Sequence, residues 1–305
     1  MSPVRVDIPH ALPDPFFIRR PEGWYLTGTD CNASSSAPIF PLYFSSDLVG
    51  WTCAGRLLIP PTYTGSDNAN FWAPEILACG DRFYLYYTAD SGRDPYRRFV
   101  RVATAEALSG PYRDIGPLTR EPSIDGHPFR ASDGRLYLFY TGNEGNAHPG
   151  QLLVDALSAP AQAAHAPCLV FPDEAVEWEE GPFLLQYGKR LLLFSSAGNW
   201  RDGSYHIRLA QSSHPLGPFQ RLTDGHTTLR LLASNTLLTG PGHCCLFEGP
   251  LGEVRIGFHA WDAAHTGRYA WHDDLFQIAC LPKGAMLDDL YPTTGACRCD
   301  APVSL

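Results

Sequence analysis

One pattern recurs five times along the chain and constrains its fold more than any other feature. A polar or glycine turn is followed each time by an aromatic-rich strand, at 23–27, 81–87, 134–140, 188–194 and 252–258. Aligned on Leu26, Leu85, Leu138, Leu192 and Ile256, the copies stand roughly 50 to 65 residues apart, the length of one four-stranded propeller blade with its loops. A further strand follows three of these anchors, at 42–48, 100–105 and 207–212. Two of those run into similar turns, Ser109-Gly110-Pro111-Tyr112 and Leu216-Gly217-Pro218-Phe219. A β-sandwich, the competing all-β architecture, does not account for recurrence at a regular period. The pattern predicts an all-β, five-bladed β-propeller that occupies residues 1–305 as a single domain, with its site at one mouth of the central channel.

Composition agrees with short strands and tight loops. Aromatic residues make up 12% of the chain and charged residues only 18%, with 28 glycines and 27 prolines; no stretch carries a sustained helical period with caps at both ends. A formal net charge of −9 argues against a nucleic-acid partner, which would want a basic stripe. No apolar run is long enough to span a bilayer, and residues 1–12 lack the basic and apolar segments of a signal peptide. The nine cysteines are scattered, two of them adjacent and two separated by one residue, which is poor geometry for a disulfide framework. These features predict a cytoplasmic protein with reduced thiols and no membrane partner; they leave the oligomeric state open.

About a dozen residues before each anchor stands an ionisable side chain: Asp14, Glu75, Asp125, Glu180 and His243. Innermost propeller strands line the axis, so these five side chains should converge. Crowded carboxylates cannot all stay ionised cheaply, so their pKa values are driven apart, which suits paired acid and base work on a glycosidic bond. No Gly-x-Ser-x-Gly, P-loop or dinucleotide fingerprint points to other chemistry. Phe16, Phe71, Trp72, Trp178 and Trp200 flank the acids, and such rings are natural platforms for the apolar faces of a saccharide, although each also serves as ordinary packing. Asp14 before Pro15 and Asp125 before Gly126 also read as turn residues. Glu179 and Glu180 are neighbours, and strand alternation lets only one of them face inward.

At these residues the sequence resembles glycoside hydrolase family 43, the arabinanase, arabinofuranosidase and β-xylosidase group. The matching stretches are Pro13-Asp14-Pro15-Phe16-Phe17, Phe71-Trp72-Ala73-Pro74-Glu75-Ile76, Ile124-Asp125-Gly126-His127-Pro128-Phe129, Glu180-Gly181-Pro182-Phe183, Gly240-Pro241-Gly242-His243 and Phe258-His259-Ala260-Trp261. The resemblance implies an inverting glycoside hydrolase in which Asp14 is the general base, Glu180 the general acid, and Asp125 the residue that orients that acid and raises its pKa. It implies a small oligosaccharide or glycoside substrate, with Phe16, Phe71, Trp72, Trp178 and Trp200 as its candidate platforms, Glu75 either mainly structural or a substrate hydrogen-bond partner, and Arg268 a contact to the acid or the sugar. It requires no cofactor; His243 is either a substrate contact or a ligand to a structural cation on the axis, calcium in members of arabinanase type. His127 and His259 match motif positions and read as structural. The chain departs from the family at Cys244-Cys245, where a small polar residue is common. It shows no additional C-terminal β-sandwich of the kind some β-xylosidases carry, which favours an α-L-arabinofuranosidase-like activity over a β-D-xylosidase or another furanosidase.

Two other readings compete. Retaining fructan and sucrose hydrolases would show Asn-Asp-Pro-Asn near the start and Glu-Cys at the acid, whereas this chain has Pro-Asp-Pro-Phe and Glu-Gly-Pro; Arg93-Asp94-Pro95 falls after the second anchor and reads as a surface turn. A non-catalytic carbohydrate-binding propeller would not need three acids at matched positions. Zinc chemistry lacks support, because Cys297-Arg298-Cys299 has no zinc spacing.

Overall fold

In the first four repeats the second strand is apolar at successive positions instead of alternate ones, the mark of a strand covered on both faces; the fifth, Val254-Arg255-Ile256-Gly257-Phe258, alternates. Leu136–Gly142 is buried along its whole length, and Arg190–Ala197 is buried after its first residue. The computed structural model describes residues 4–8, 11–31, 33, 37–61, 70–90, 97–174, 177–262 and 277–280. Among them the regular secondary structure is all β and falls into five antiparallel sheets.

The first sheet is Phe16–Arg20, Gly23–Thr27, Ile39–Ser45 and Thr52–Leu58, in that order. The second is Trp72–Cys79, Arg82–Asp90, Arg98–Ala105 and Arg113–Pro117. The third is Ser123–Arg130, Leu136–Gly142, Leu152–Ala159 and Gln162–Ala163, with Cys168–Leu169 also paired to its third strand. The fourth is Glu179–Tyr187, Arg190–Ala197, His206–Ser212 and Gln220–Arg221, with Arg230–Leu232 also on its third strand. The fifth is Leu238–Glu248, Val254–Asp262, Gln277–Cys280 and, from the other end of the chain, Val4–Arg5.

The leading strands of the five sheets touch in sequence, first to second, second to third, third to fourth, fourth to fifth, and fifth back to first. The arrangement is propeller-like. Its core is divided between the facing sheets. Leu42, Leu58, Phe71, Leu85 and Tyr87 fill the space between the first and second. Tyr86, Val102, Leu138 and Leu153 do so between the second and third, and Phe129, Phe139, Val154 and Leu193 between the third and fourth. Phe17, Leu26, Phe194, Leu246 and Phe258 join the fourth, fifth and first, and Phe17 stacks on Phe247 at 4.3 Å across that last seam. All five anchor residues lie in the second strand of a sheet.

Candidate active site

One residue in the left-handed region marks each sheet at a matched place: Asp14 (φ 53°), Ala73 (φ 45°), Asp125 (φ 57°), Gly181 (φ 57°) and His243 (φ 44°); Asp14 stands two residues before its leading strand, and the fifth leading strand holds Gly240 (φ 58°) in addition. In the second to fifth sheets the pairing register shifts across that residue, between Trp72 and Glu75, Ile124 and His127, Glu180 and Phe183, and Gly242 and Cys245. A bulge adds one residue to one strand and re-aims the side chains beside it. Pro15, Pro74 and Pro182 follow three of the five; proline donates no ladder hydrogen bond, and a bulge is where a sheet tolerates it.

The bulges are fixed from the neighbouring sheet. The N–H of Ala73 donates to Thr29 Oγ1 at 2.8 Å, that of Asp125 to Thr88 Oγ1 at 3.0 Å, and that of His243 to Ser196 Oγ at 2.7 Å. In the first sheet the Asp14 N–H donates to His259 Nδ1 at 3.2 Å. In the fourth, Gly181 N–H donates to Asp125 Oδ2 at 3.1 Å, while Thr141 Oγ1 donates to the Glu179 carbonyl at 3.3 Å. Thr29, Thr88, Thr141, Ser196 and His259 each stand three or four residues past an anchor, so one sheet positions the next sheet's functional residue.

The result is a pocket open to solvent and lined by Asp14, Asp125, Glu180, His243, His259 and Trp72 among others. Asp14 Oδ1 lies 3.0 Å from His243 Nδ1 and 3.4 Å from His259 Nδ1, and Thr29 Oγ1 donates to its Oδ2. Burial alone would raise the Asp14 carboxyl, but the charge and the hydrogen bond of His243 outweigh it and hold Asp14 well below the usual carboxylate range. Asp125 goes the other way. Burial pushes it up to about 7, opposed by His243 and assisted by the charges of Glu180 and Asp14. Burial would neutralise His243, yet Asp14 and then Asp125 raise it to about 10; its Nδ1 is 3.8 Å from Asp125 Oδ2. Glu180 receives the Trp178 indole N–H on Oε2 at 2.6 Å and the Tyr205 hydroxyl on Oε1 at 2.8 Å. Its neighbour Glu179 is buried, pairing with Arg221 at 2.5 Å, and does not line the pocket. The arrangement can therefore hold an ionised carboxylate, a neutral one near pH 7 and an imidazolium together, which is the division acid–base chemistry needs.

The other residues singled out in the sequence separate into two groups. Trp72 and Trp200 line the pocket, and Arg98 stacks on Trp72 at 4.3 Å. Trp178 reaches the site through Glu180 and is 36% exposed. Phe71 and Phe16 belong to the packing. Phe71 is fully buried against Phe40 and Tyr87, and Phe16 packs at the edge of two core clusters, because their strand positions turn them between sheets. Glu75 also stands outside the pocket lining: Ala73 holds the bulge position of the second sheet, and Glu75 is instead buried against His127 Nδ1 at 2.7 Å. His127 in turn accepts the Leu184 N–H at 3.0 Å, tying the second, third and fourth sheets together. His259, read as structural, touches Asp14 and lines the pocket. Arg268, Arg93-Asp94-Pro95, Cys297 and Cys299 lie outside the described residues. Tyr205 and Thr29 gave no motif signal of their own. His243 Nδ1 faces Asp14, and among the described residues no group of three or more His, Cys, Asp and Glu side chains is placed to hold a metal ion.

Comparison with known proteins agrees with this geometry. The chain is 29% identical over 293 residues to a probable arabinan endo-1,5-α-L-arabinosidase A of Aspergillus flavus, covering 86% of this chain and 85% of that one. It is 26% identical over 248 residues to a β-D-galactofuranosidase of Aspergillus niger, covering 77% and 69%. Among solved structures, a thermostable family-43 glycoside hydrolase shares the fold with a TM-score of 0.72 at 23% identity, over 88% of each chain. Residues 5–276 match the family described as glycosyl hydrolases family 43, and the chain belongs to that family.

Proposed function

We propose that the protein is an inverting glycoside hydrolase acting on α-L-arabinofuranosyl linkages of short oligosaccharides, with its five sheets as the blades of a five-bladed propeller. One observation carries the reading: Asp14, Asp125 and Glu180, from three different sheets, line one pocket with Asp14 held ionised and Asp125 driven towards neutrality. Asp14 would take a proton from water as the water oxygen bonds to the anomeric carbon. The glycosidic C–O bond breaks in the same step, and the leaving oxygen takes the proton of Glu180. Asp125 touches neither bond. Its Oδ2 accepts the Gly181 N–H, next to Glu180, and so orients the strand that carries that acid. Trp72 and Trp200 supply apolar walls for the sugar. The names of the two relatives, an arabinosidase and a galactofuranosidase, support a furanoside substrate.

The test is to follow product stereochemistry by NMR on arabinofuranosides, galactofuranosides and xylosides. The reading expects the arabinofuranoside to be cleaved fastest and the first-formed sugar to have the opposite anomeric configuration. Retention would overturn the mechanism, and preference for xylosides would overturn the substrate. Glu180→Gln is expected to bind oligosaccharide while losing turnover; unchanged turnover would remove the acid assignment.

A further inference from the structure

Tyr205 stands just before the third strand of the fourth sheet, His206–Ser212, and no motif draws attention to it. It is buried, with 1% of its surface exposed, and it is absent from the pocket lining. Its hydroxyl donates to Glu180 Oε1 at 2.8 Å, and its ring lies parallel to the His259 imidazole, 5.8 Å between centroids at 9°. His259 in turn accepts the Asp14 N–H. One side chain thus bears on both the carboxylate that faces the leaving oxygen and the histidine that fixes the opposing one. The path of the ring is cut through Gly242: a Cβ there would stand 1.9 Å from Tyr205 Cε1 and 2.3 Å from Cδ1. Glycine at that position is required by the close approach of the tyrosine, and the Gly-Pro-Gly-His segment serves Glu180 as well as His243.

We infer that Tyr205 is the positioning residue of the general acid: it anchors Glu180 Oε1 from beneath the pocket and leaves Oε2 to deliver the proton. The inference rests on the assignment of Glu180 as the acid. Burial, then the charges of Glu180, Asp14 and Asp125, push the Tyr205 hydroxyl well above its ordinary value of 10.0, so it remains a donor throughout the working range. Trp178 occupies Oε2 from the exposed side, and the leaving oxygen of the substrate would replace that indole N–H. With one oxygen held by a buried phenol, the carboxyl plane cannot rotate away when the exchange happens.

The experiment compares Tyr205→Phe with the wild type on two glycosides of the same sugar, one with an alcohol or sugar leaving group and one with 4-nitrophenol. Nitrophenolate leaves with little protonation, so a defect in the acid is felt mainly on the alcohol glycoside. Tyr205→Phe is expected to lower kcat on the alcohol glycoside by about 10- to 100-fold, the usual worth of a hydrogen bond to a charged group, with KM changed by less than about 3-fold. On the nitrophenyl glycoside the loss should stay below about 3-fold. Equal losses on both glycosides, or a loss confined to KM, would show a packing role and overturn the proposal. The phenylalanine keeps the ring and its stacking, and a melting curve checks that the fold is retained. Glu180→Gln runs alongside: if that variant shows no dependence on leaving group, the acid assignment itself fails. If Glu180→Gln shows the dependence and Tyr205→Phe does not, only the role of Tyr205 falls.

Discussion

Asp125 sits between two demands that pull its proton in opposite directions. Burial and the neighbouring carboxylates favour the neutral acid, while His243 and the Gly181 N–H favour the anion, and the balance leaves it at about 7 against an ordinary 3.8. A carboxyl raised on folding holds a proton that the unfolded chain has already released. Its contribution to stability is therefore full below pH 3.8, is lost as pH rises, and is gone above about pH 7. His243 behaves the same way over a higher window, full below 6.5 and lost as pH rises through about 10. Asp14 is opposite in sign: its contribution is present above pH 3.8 and lost as the solution becomes more acid. The prediction is a decline in unfolding free energy between about pH 4 and pH 7 whose slope from this one proton is at most about 1.4 kcal/mol per pH unit. Asp125→Asn should flatten that decline, because the amide does not titrate. It should also bring the His243 window down, since Asp125 is one of the charges that raises it. Urea titrations at half-unit pH steps measure both, and an unchanged slope in Asp125→Asn would mean that the proton sits elsewhere in the cluster.

At the scale of the element, the same hydroxyl-to-bulge contact recurs around the sheets, and its strength is open to a direct measurement. Thr88 is fully buried and accepts the N–H of Asp125. Thr88→Val keeps the shape and removes the acceptor, stranding a buried N–H, so it should cost about 1–3 kcal/mol in denaturant unfolding. Thr88→Ser should recover most of it. Equal losses in the two variants would assign the effect to packing instead. This device also explains what the sequence does and does not disclose. Four of the second strands announce themselves, because covering both faces leaves an uninterrupted apolar run around Leu26, Leu85, Leu138 and Leu192, while the fifth is marked by the alternation of Val254, Ile256 and Phe258. The acids of the first, third and fourth sheets stand at readable offsets from those runs. Glu75 did not follow, because the left-handed position belongs to Ala73, and alanine carries no signal that its backbone is unusual. Phe16 and Phe71 stand near acids in sequence, yet neighbouring strand residues face opposite ways, so proximity along the chain says nothing about who meets the sugar. Tyr205 stands just before a different strand of the sheet that carries Glu180, and their separation of 25 positions leaves the contact invisible to any motif. Thr29, Thr88, Thr141, Ser196 and His259 do share a position three or four residues past the anchors, a recurrence that could have been read from the repeats.

The whole molecule depends on how its two ends meet. The pocket exists because side chains from all five sheets face one another, and the first and fifth are brought together where the fifth sheet is completed by a strand from the other end of the chain. Val4 pairs with Cys280 and Arg5 with Ala279, and Val6, 6% exposed, enters the core cluster that holds Phe17, Leu246 and Phe258. Asp14 follows within ten residues, so loosening this pairing releases the strand that carries the proposed base. Removing residues 1–6 withdraws a buried valine and a short stretch of ladder, together about 2–4 kcal/mol. For a chain of this size that corresponds to a fall in Tm on the order of 5 °C. The loss should also be local before it is global. Amide hydrogen exchange should quicken first in Val254–Asp262, whose outer neighbour Gln277–Cys280 has lost its partner, while Leu136–Gly142 in the third sheet keeps its protection. A truncated protein whose fifth and third sheets exchange alike would show that the ring is held by side-chain packing between sheets, with the terminal strand contributing little to closure.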